Sequence, residues 1–176
     1  MPKSAQSPRF PASLVFWGPP LVAIAVAGFI FTRAYGAHFA AHPIHAPNWA
    51  VLAAAPAIIQ VHIAAAVISF LVGVVLLTGV KGSGLHKKLG WTWVVAMAVT
   101  AITSFFIKEL NPGQFSFVHL VAGYTVIAMP MAIAAIRRKN VASHRRTMTY
   151  TFVGGMLIAG LFTFMPGRLM YLFLFG

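Results

Sequence analysis

The sequence predicts an all-α integral membrane protein, a bundle of five transmembrane helices, and three observations carry that prediction. Of the 176 residues 60% are hydrophobic and only 8% charged, and mean hydropathy is +0.86; a soluble domain carries about 25% charge. The apolar residues gather into runs of about 20 or more, the length that crosses roughly 30 Å of hydrocarbon at 1.5 Å per residue. The basic residues stand in short clusters between those runs, which is how membrane helices are oriented. All of residues 1–176 then form a single transmembrane domain.

The first span is expected over about residues 11–35, with Trp17-Gly18-Pro19-Pro20 marking a kink or a late start. Lys3 and Arg9 precede it as in a signal peptide, but no small-residue cleavage site follows clearly, so an uncleaved helix is the better reading. The second span covers residues 48–80 with Pro56 in its first turns, the third 89–107, the fourth 114–136 and the fifth 147–165. After Pro166-Gly167-Arg168, residues 169–175 are too short to span and are expected as an interfacial tail. Trp49, Trp91 and Trp93 lie near span ends, where tryptophans favour the membrane interface.

Lysine and arginine orient the bundle. Lys3, Arg9, Lys81, Lys87, Lys88, Arg137, Arg138, Lys139, Arg145 and Arg146 fall on one side; Arg33, Lys108 and Arg168 fall on the other. Ten against three puts the N-terminus in the cytoplasm and the C-terminus outside. The net charge of +12 is thus a topology signal rather than a nucleic-acid footprint.

Composition also excludes chemistry. Glu109 is the one acidic residue. Paired-carboxylate catalysis, carboxylate-held Ca²⁺ or Mg²⁺, a Ser-His-Asp triad and a carboxylate proton relay are therefore absent from this chain. With no cysteine there is no disulfide, no thiolate metal site and no covalently attached c-type haem. Seven histidines remain as the principal ligating side chains: His38, His42, His45, His62, His86, His119 and His144.

Four of them sort by depth. His62 and His119 come early in spans two and four, near the outer face; His86 and His144 come just before spans three and five, near the inner face. The inner two share a pattern, His86-Lys87-Lys88-Leu89 and His144-Arg145-Arg146-Thr147. Two matched pairs suit b-type haem, whose iron takes neutral imidazoles from opposite faces inside a dry bundle core. A porphyrin needs small residues beside its ligands. His62 is followed one turn later by Ala66, His86 by Gly90 and His119 by Gly123, whereas His144 is followed by Met148; Gly154 and Gly155 offer room further along. The plainer reading is that small residues serve helix packing and that the inner histidines meet phosphate and water.

Over about Val61 to Gly167 the chain resembles a family of small bacterial membrane proteins known only as domain of unknown function 2306. The carriers are the His62 helix, Leu85-His86-Lys87-Lys88-Leu89-Gly90, the His119 helix, Ser143-His144-Arg145-Arg146-Thr147-Met148 and Pro166-Gly167-Arg168. More distantly, Leu85-His86-Lys87-Lys88-Leu89-Gly90 and Val118-His119-Leu120-Val121-Ala122-Gly123 resemble cytochrome b561, where histidines are followed by glycine at the fourth position. That likeness implies two haems b on four consecutive helices and electron transfer across a membrane. His62 and His119 would ligate the outer iron, His86 and His144 the inner one.

His38, His42 and His45 fall in the external connection between spans one and two. On one helical face their spacing would suit Zn²⁺ or Cu²⁺. Pro43 opposes a continuous helix there, and a polar external loop is the favoured reading.

The leading expectation is a haem-b electron-transfer protein of the bacterial inner membrane, passing electrons between a quinol or similar donor and an acceptor on the other side. Arg145 and Arg146, with Lys87 and Lys88, would contact haem propionates or a quinone headgroup. The alternatives are a haem-free accessory subunit of a larger membrane complex and a histidine-based transition-metal carrier. Partners are then the lipid bilayer, quinone, and other membrane subunits or further copies of the chain.

Overall fold

Within hydrocarbon the backbone has no water to bond, so each segment must satisfy its own amides, and a helix does so locally. The structure, a computed structural model, describes residues 12–108, 114 and 116–176, and every regular element among them is helical. Glu109 lies outside the described residues.

Helix α1 (Ala12–Ala41) runs through Pro19 and Pro20 and ends just ahead of Pro43. It therefore starts before the Pro-Pro pair, and it runs six residues past the expected end at 35. The second span is split. Proline at 56 has no amide proton and pushes the preceding residue out of the α region, and Ala55 accordingly sits at φ −68°, ψ 147°. A short α2 (Trp49–Ala54) results, then α3 (Ala57–Thr78).

Helix α4 (Gly84–Ser104) begins five residues before the expected 89, because the Ser83 hydroxyl caps it by accepting from the His86 amide at 3.1 Å. His86 is therefore helical rather than ahead of its helix. Helix α5 (Phe117–Arg137) carries Pro130 inside it. Three residues link it to α6 (Val141–Phe152), with Lys139 in the left-handed region at φ 59°. Asn140 caps α6 by accepting from the Ser143 amide at 3.0 Å, which draws His144 into the helix as well. From Phe152 the chain continues through a π-helical segment (Val153–Ile158), α7 (Ala159–Leu161) and a 3₁₀ turn (Phe162–Phe164).

The expected tail is a short helix, α8 (Leu169–Leu174). The amides of His45 and Asn48 donate to the carbonyls of Leu174 and Phe173, both at 2.9 Å, and bind the chain leading into α2 to this tail.

Among the described residues four helices are long and apolar enough to cross a membrane: Val15–Ala41, Ala57–Thr78, Phe117–Arg137 and Val141–Phe164. Helix α4 has comparable length, 21 residues, but is more polar. It packs between α3 and α5 and buries Trp93, Ala96, Met97, Thr100, Ala101, Thr103 and Ser104. A helix walled by protein has less need of an apolar surface than one facing lipid. Large apolar side chains such as Phe29, Leu71, Leu120 and Ile127 instead line the outside, as hydrocarbon allows.

The core is Trp93, Met97, Met129, Phe152, Val153 and Met156. Trp91 and Trp49 are exposed, as interfacial residues would be, but Trp93 is 3% exposed and belongs to this core. One close approach fixes the layer: Gly73 of α3 lies under the Phe152 ring and beside the Trp93 indole, and a Cβ there would overlap both. Overpacking a tight core typically costs about 1–3 kcal/mol. Gly73→Ala is accordingly expected to lower the melting temperature in detergent by several degrees, and Gly73→Ala with Phe152→Leu to recover part of it. Equal melting of Gly73→Ala and the parent would show that the layer is not close-packed.

Candidate functional site

Near the C-terminal end of α4 the bundle forms a partly open apolar cavity of about 500 Å³. Helix α3 contributes His62, Ala66 and Phe70; α4 contributes Met97, Thr100, Ala101 and Ser104; α5 contributes Val118, Ala122 and Thr125. The π-helical segment and its continuation supply Gly155, Met156, Gly160 and Phe164, and Met170 of α8 closes one end. Gly155 lets the Met97 side chain reach this wall, since a Cβ would sit 2.6 Å from the Met97 methyl and push it aside.

The three threonines of this wall present acceptors, and Ser104 adds a further hydroxyl. Thr100 donates its hydroxyl proton to the Ala96 carbonyl at 2.9 Å, Thr125 to Val121 at 2.8 Å and Thr163 to Gly160 at 2.7 Å. Thr103, beside the cavity, likewise donates to Val99 at 2.7 Å. Its oxygen can then only accept from His62 Nδ1, 2.9 Å away. With the Thr103 proton on a backbone carbonyl, the neutral His62 ring carries its own on Nδ1 and keeps the Nε2 lone pair. Ligating histidines are prepared in this way, by a second group that takes the other ring proton.

His119 is arranged oppositely. It is 5% exposed and packs against Phe105 with ring centroids 6.3 Å apart. The Ser116 amide donates to His119 Nδ1 at 3.0 Å, so the neutral ring carries its proton on Nε2. Thr103 and Phe105 put both histidines level with the C-terminal end of α4, at the same depth. Only His62 lines the cavity. His119, an expected partner in ligation, here closes the first turn of α5.

At the other end of α4, about 25 Å away by helix rise, His86 and His144 lie within electrostatic reach of each other. His144 Nδ1 donates to the Ala132 carbonyl at 3.0 Å, which leaves its Nε2 with the lone pair. His86 occupies the first turn of α4, ahead of the apolar stretch that starts at Leu89. Burial first, then the charges of His144 and Lys81, hold its imidazole below the usual histidine value. Beside the matched histidines, a Cβ on Gly90 or Gly123 would meet no atom within 4 Å, and Met148 packs on the core. Arg145 and Arg146 turn away from this pair, towards α1. The Arg145 guanidinium stands 4.3 Å over the Phe16 ring, and Arg146 lines a separate cleft with Phe16, Ser143 and Tyr150.

The three outer histidines do not converge. His38 and His42 stack at 4.3 Å, with His38 Nε2 2.8 Å from the Tyr171 hydroxyl and His42 Nδ1 donating to the His38 carbonyl at 2.9 Å. His45 Nδ1 and Nε2 lie 2.6 and 2.9 Å from the carbonyls of Ala46 and Gly176. Among the described residues no three His, Cys, Asp or Glu side chains come together as a metal site. These histidines tie the end of α1 and the following loop to α8.

Sequence reasoning missed Thr103 and the methionine wall. The signal was present as Met97, Thr100, Ala101 and Ser104, one face of a helix at i, i+3, i+4 and i+7. Ser116, three residues before His119, was the signal for its capping role.

The family model of predicted membrane proteins designated DUF2306 matches residues 59–173, from the start of α3 through α8. The chain belongs to this family. No curated protein and no solved structure matches it significantly. The match takes in both histidine pairs and the whole cavity wall, and leaves α1 and α2 outside the DUF2306 region.

Because His86 is held below the usual value of about 6.5, the unfolded chain binds its proton more readily than the folded one. Stability therefore rises with pH across this window and is lost as pH falls below about 6.5. Thermal melts between pH 7.5 and 5 are expected to show that loss, and His86→Gln is expected to flatten it. An unchanged pH slope in His86→Gln would remove His86 as its source.

Proposed function

We propose that this chain is a haem-b electron-transfer protein of the bacterial inner membrane, with five spans, the N-terminus in the cytoplasm and the C-terminus outside. Helix α4 counts as the central span, and the ten-to-three charge asymmetry sets the direction. The observation that carries the haem reading is His62: a neutral imidazole, its Nδ1 proton taken by Thr103, whose Nε2 remains a donor to iron at the wall of an apolar cavity of about 500 Å³.

The wall favours such a group chemically. The hydroxyl protons of Thr100, Thr125 and Thr163 are committed to backbone carbonyls, so these residues offer electron pairs, beside the Ser104 hydroxyl and soft thioethers from Met97, Met156 and Met170. A carbonyl-bearing ligand would find few donors there; an iron centre or a quinol hydroxyl finds acceptors. Haem would supply one-electron chemistry, while the protein would hold the iron, exclude water and set its potential. His62 is the proposed axial ligand. His119 becomes the second only if Ser116 releases its Nδ1, so the outer iron is proposed to rest on His62 first. The inner pair, His86 and His144, is proposed as the second centre on the side of the basic loops, and quinol as the donor class.

Three measurements test this reading. The reduced-minus-oxidised visible spectrum of the purified protein is expected to show b-type bands, and His62→Ala to lose the outer haem; a protein without those bands when expressed with ample haem is not a cytochrome. Thr103→Val is expected to keep the fold but weaken haem retention about 10- to 100-fold, as loss of a group orienting a ligand does; unaltered retention would mean that Thr103 does not orient His62. A reporter active only in the cytoplasm, fused at the C-terminus, is expected to stay silent, and strong activity would mean an even number of spans.

A further inference from the structure

On the side of the basic loops a cleft of about 620 Å³ opens between the start of α1 and the first turns of α6. It is two-faced. Val15, Phe16 and Ala142 make an apolar floor, and Asn140, Ser143, Arg146 and Tyr150 make a polar rim. Unlike the outer cavity, this rim is rich in donors. The Asn140 side-chain oxygen already accepts from the Ser143 amide at 3.0 Å, which leaves its NH₂ group to donate. Arg146 presents a guanidinium fork, and Ser143 and Tyr150 add hydroxyls.

The charge around this cleft has no internal answer. Arg137, Arg138, Lys139, Arg145 and Arg146 fall within ten residues spanning the end of α5, the link and α6, and no side-chain carboxylate occurs among the described residues. Arg145 is engaged with the Phe16 ring, which leaves Arg146 as the cation lining the cleft. Like charges so close repel, and an anion between them relieves the repulsion.

We propose that this cleft binds a phosphate group, with Arg146 as its principal partner, Ser143, Tyr150 and the Asn140 amide as further donors, and the apolar floor seating an acyl chain. Arginine takes phosphate as a two-pronged, charge-assisted contact, and basic pockets between helices on the cytoplasmic side are where anionic lipid headgroups are held. The site is independent of haem.

Native mass spectrometry of the full chain in neutral detergent tests it. The probes are dioleoylphosphatidylglycerol, dioleoylglycerol as the phosphate-free control and inorganic phosphate as the chain-free one. Phosphatidylglycerol is expected to bind at least about tenfold more tightly than dioleoylglycerol, Arg146→Gln to lose about tenfold, and Arg138→Gln, an equal charge loss outside the cleft, to lose less than about twofold. If millimolar inorganic phosphate competes and depends on Arg146, the natural source is a soluble phosphate; if it does not compete, the source is lipid. Equal binding of the two lipids, or equal losses in Arg146→Gln and Arg138→Gln, overturns the proposal. Should Arg146→Gln fail to fold, Ser143→Ala and Tyr150→Phe are each expected to weaken phosphatidylglycerol binding about threefold, and no change in either rejects the site.

Discussion

A hydroxyl buried in a bundle within hydrocarbon has almost nothing to bond except a carbonyl of its own helix. That constraint governs the half of this protein around the C-terminal end of α4. Thr100, Thr103, Thr125 and Thr163 each give their proton to a backbone oxygen three or four residues back. The cavity they border is left with lone pairs, and His62 is turned by the same logic. A chemically selective wall therefore arises from four residues that look unremarkable in sequence, because their donors are consumed before any ligand arrives.

The two ends of the molecule differ in kind. Around the apolar cavity the threonines present lone pairs and no Lys or Arg lines the wall; around the α1–α6 cleft Arg146 and further donors line the rim. Between them lies the layer of Trp93, Met97, Met129 and Phe152, closed by the contact of Gly73 with Phe152. This dry plug keeps the sites chemically separate.

Much of the fold was legible in residue order. Run lengths gave the apolar helices, Pro43 opposed a continuous helix through His38, His42 and His45, and the histidines sorted by depth because helix rise is uniform. Where expectation failed, short-range capping was the cause. Ser83 and Asn140 start α4 and α6 earlier than hydropathy suggests, since a cap reads hydrogen bonds and not apolarity. Pro56 splits a run that hydropathy treats as continuous. The cavity was not legible, because which faces of four helices meet depends on packing. Nor was the split between His62 and His119 apparent: identical residues at matching depth take opposite tautomers from Thr103 and Ser116, and neither neighbour belongs to a histidine motif.

The π-helical segment Val153–Ile158 bears on how such a wall arises. A π turn amounts to one extra residue accommodated within a helix, and it rotates everything after it by about 100° relative to an unbroken α-helix. Gly160, Leu161, Thr163 and Phe164 face the cavity in that shifted register. Their orientation is thus a matter of counting rather than of chemistry. A helix one residue shorter before Gly160 would carry the same side chains round to another face, so one residue more or less in this segment decides between a packing surface and the lining of a cavity.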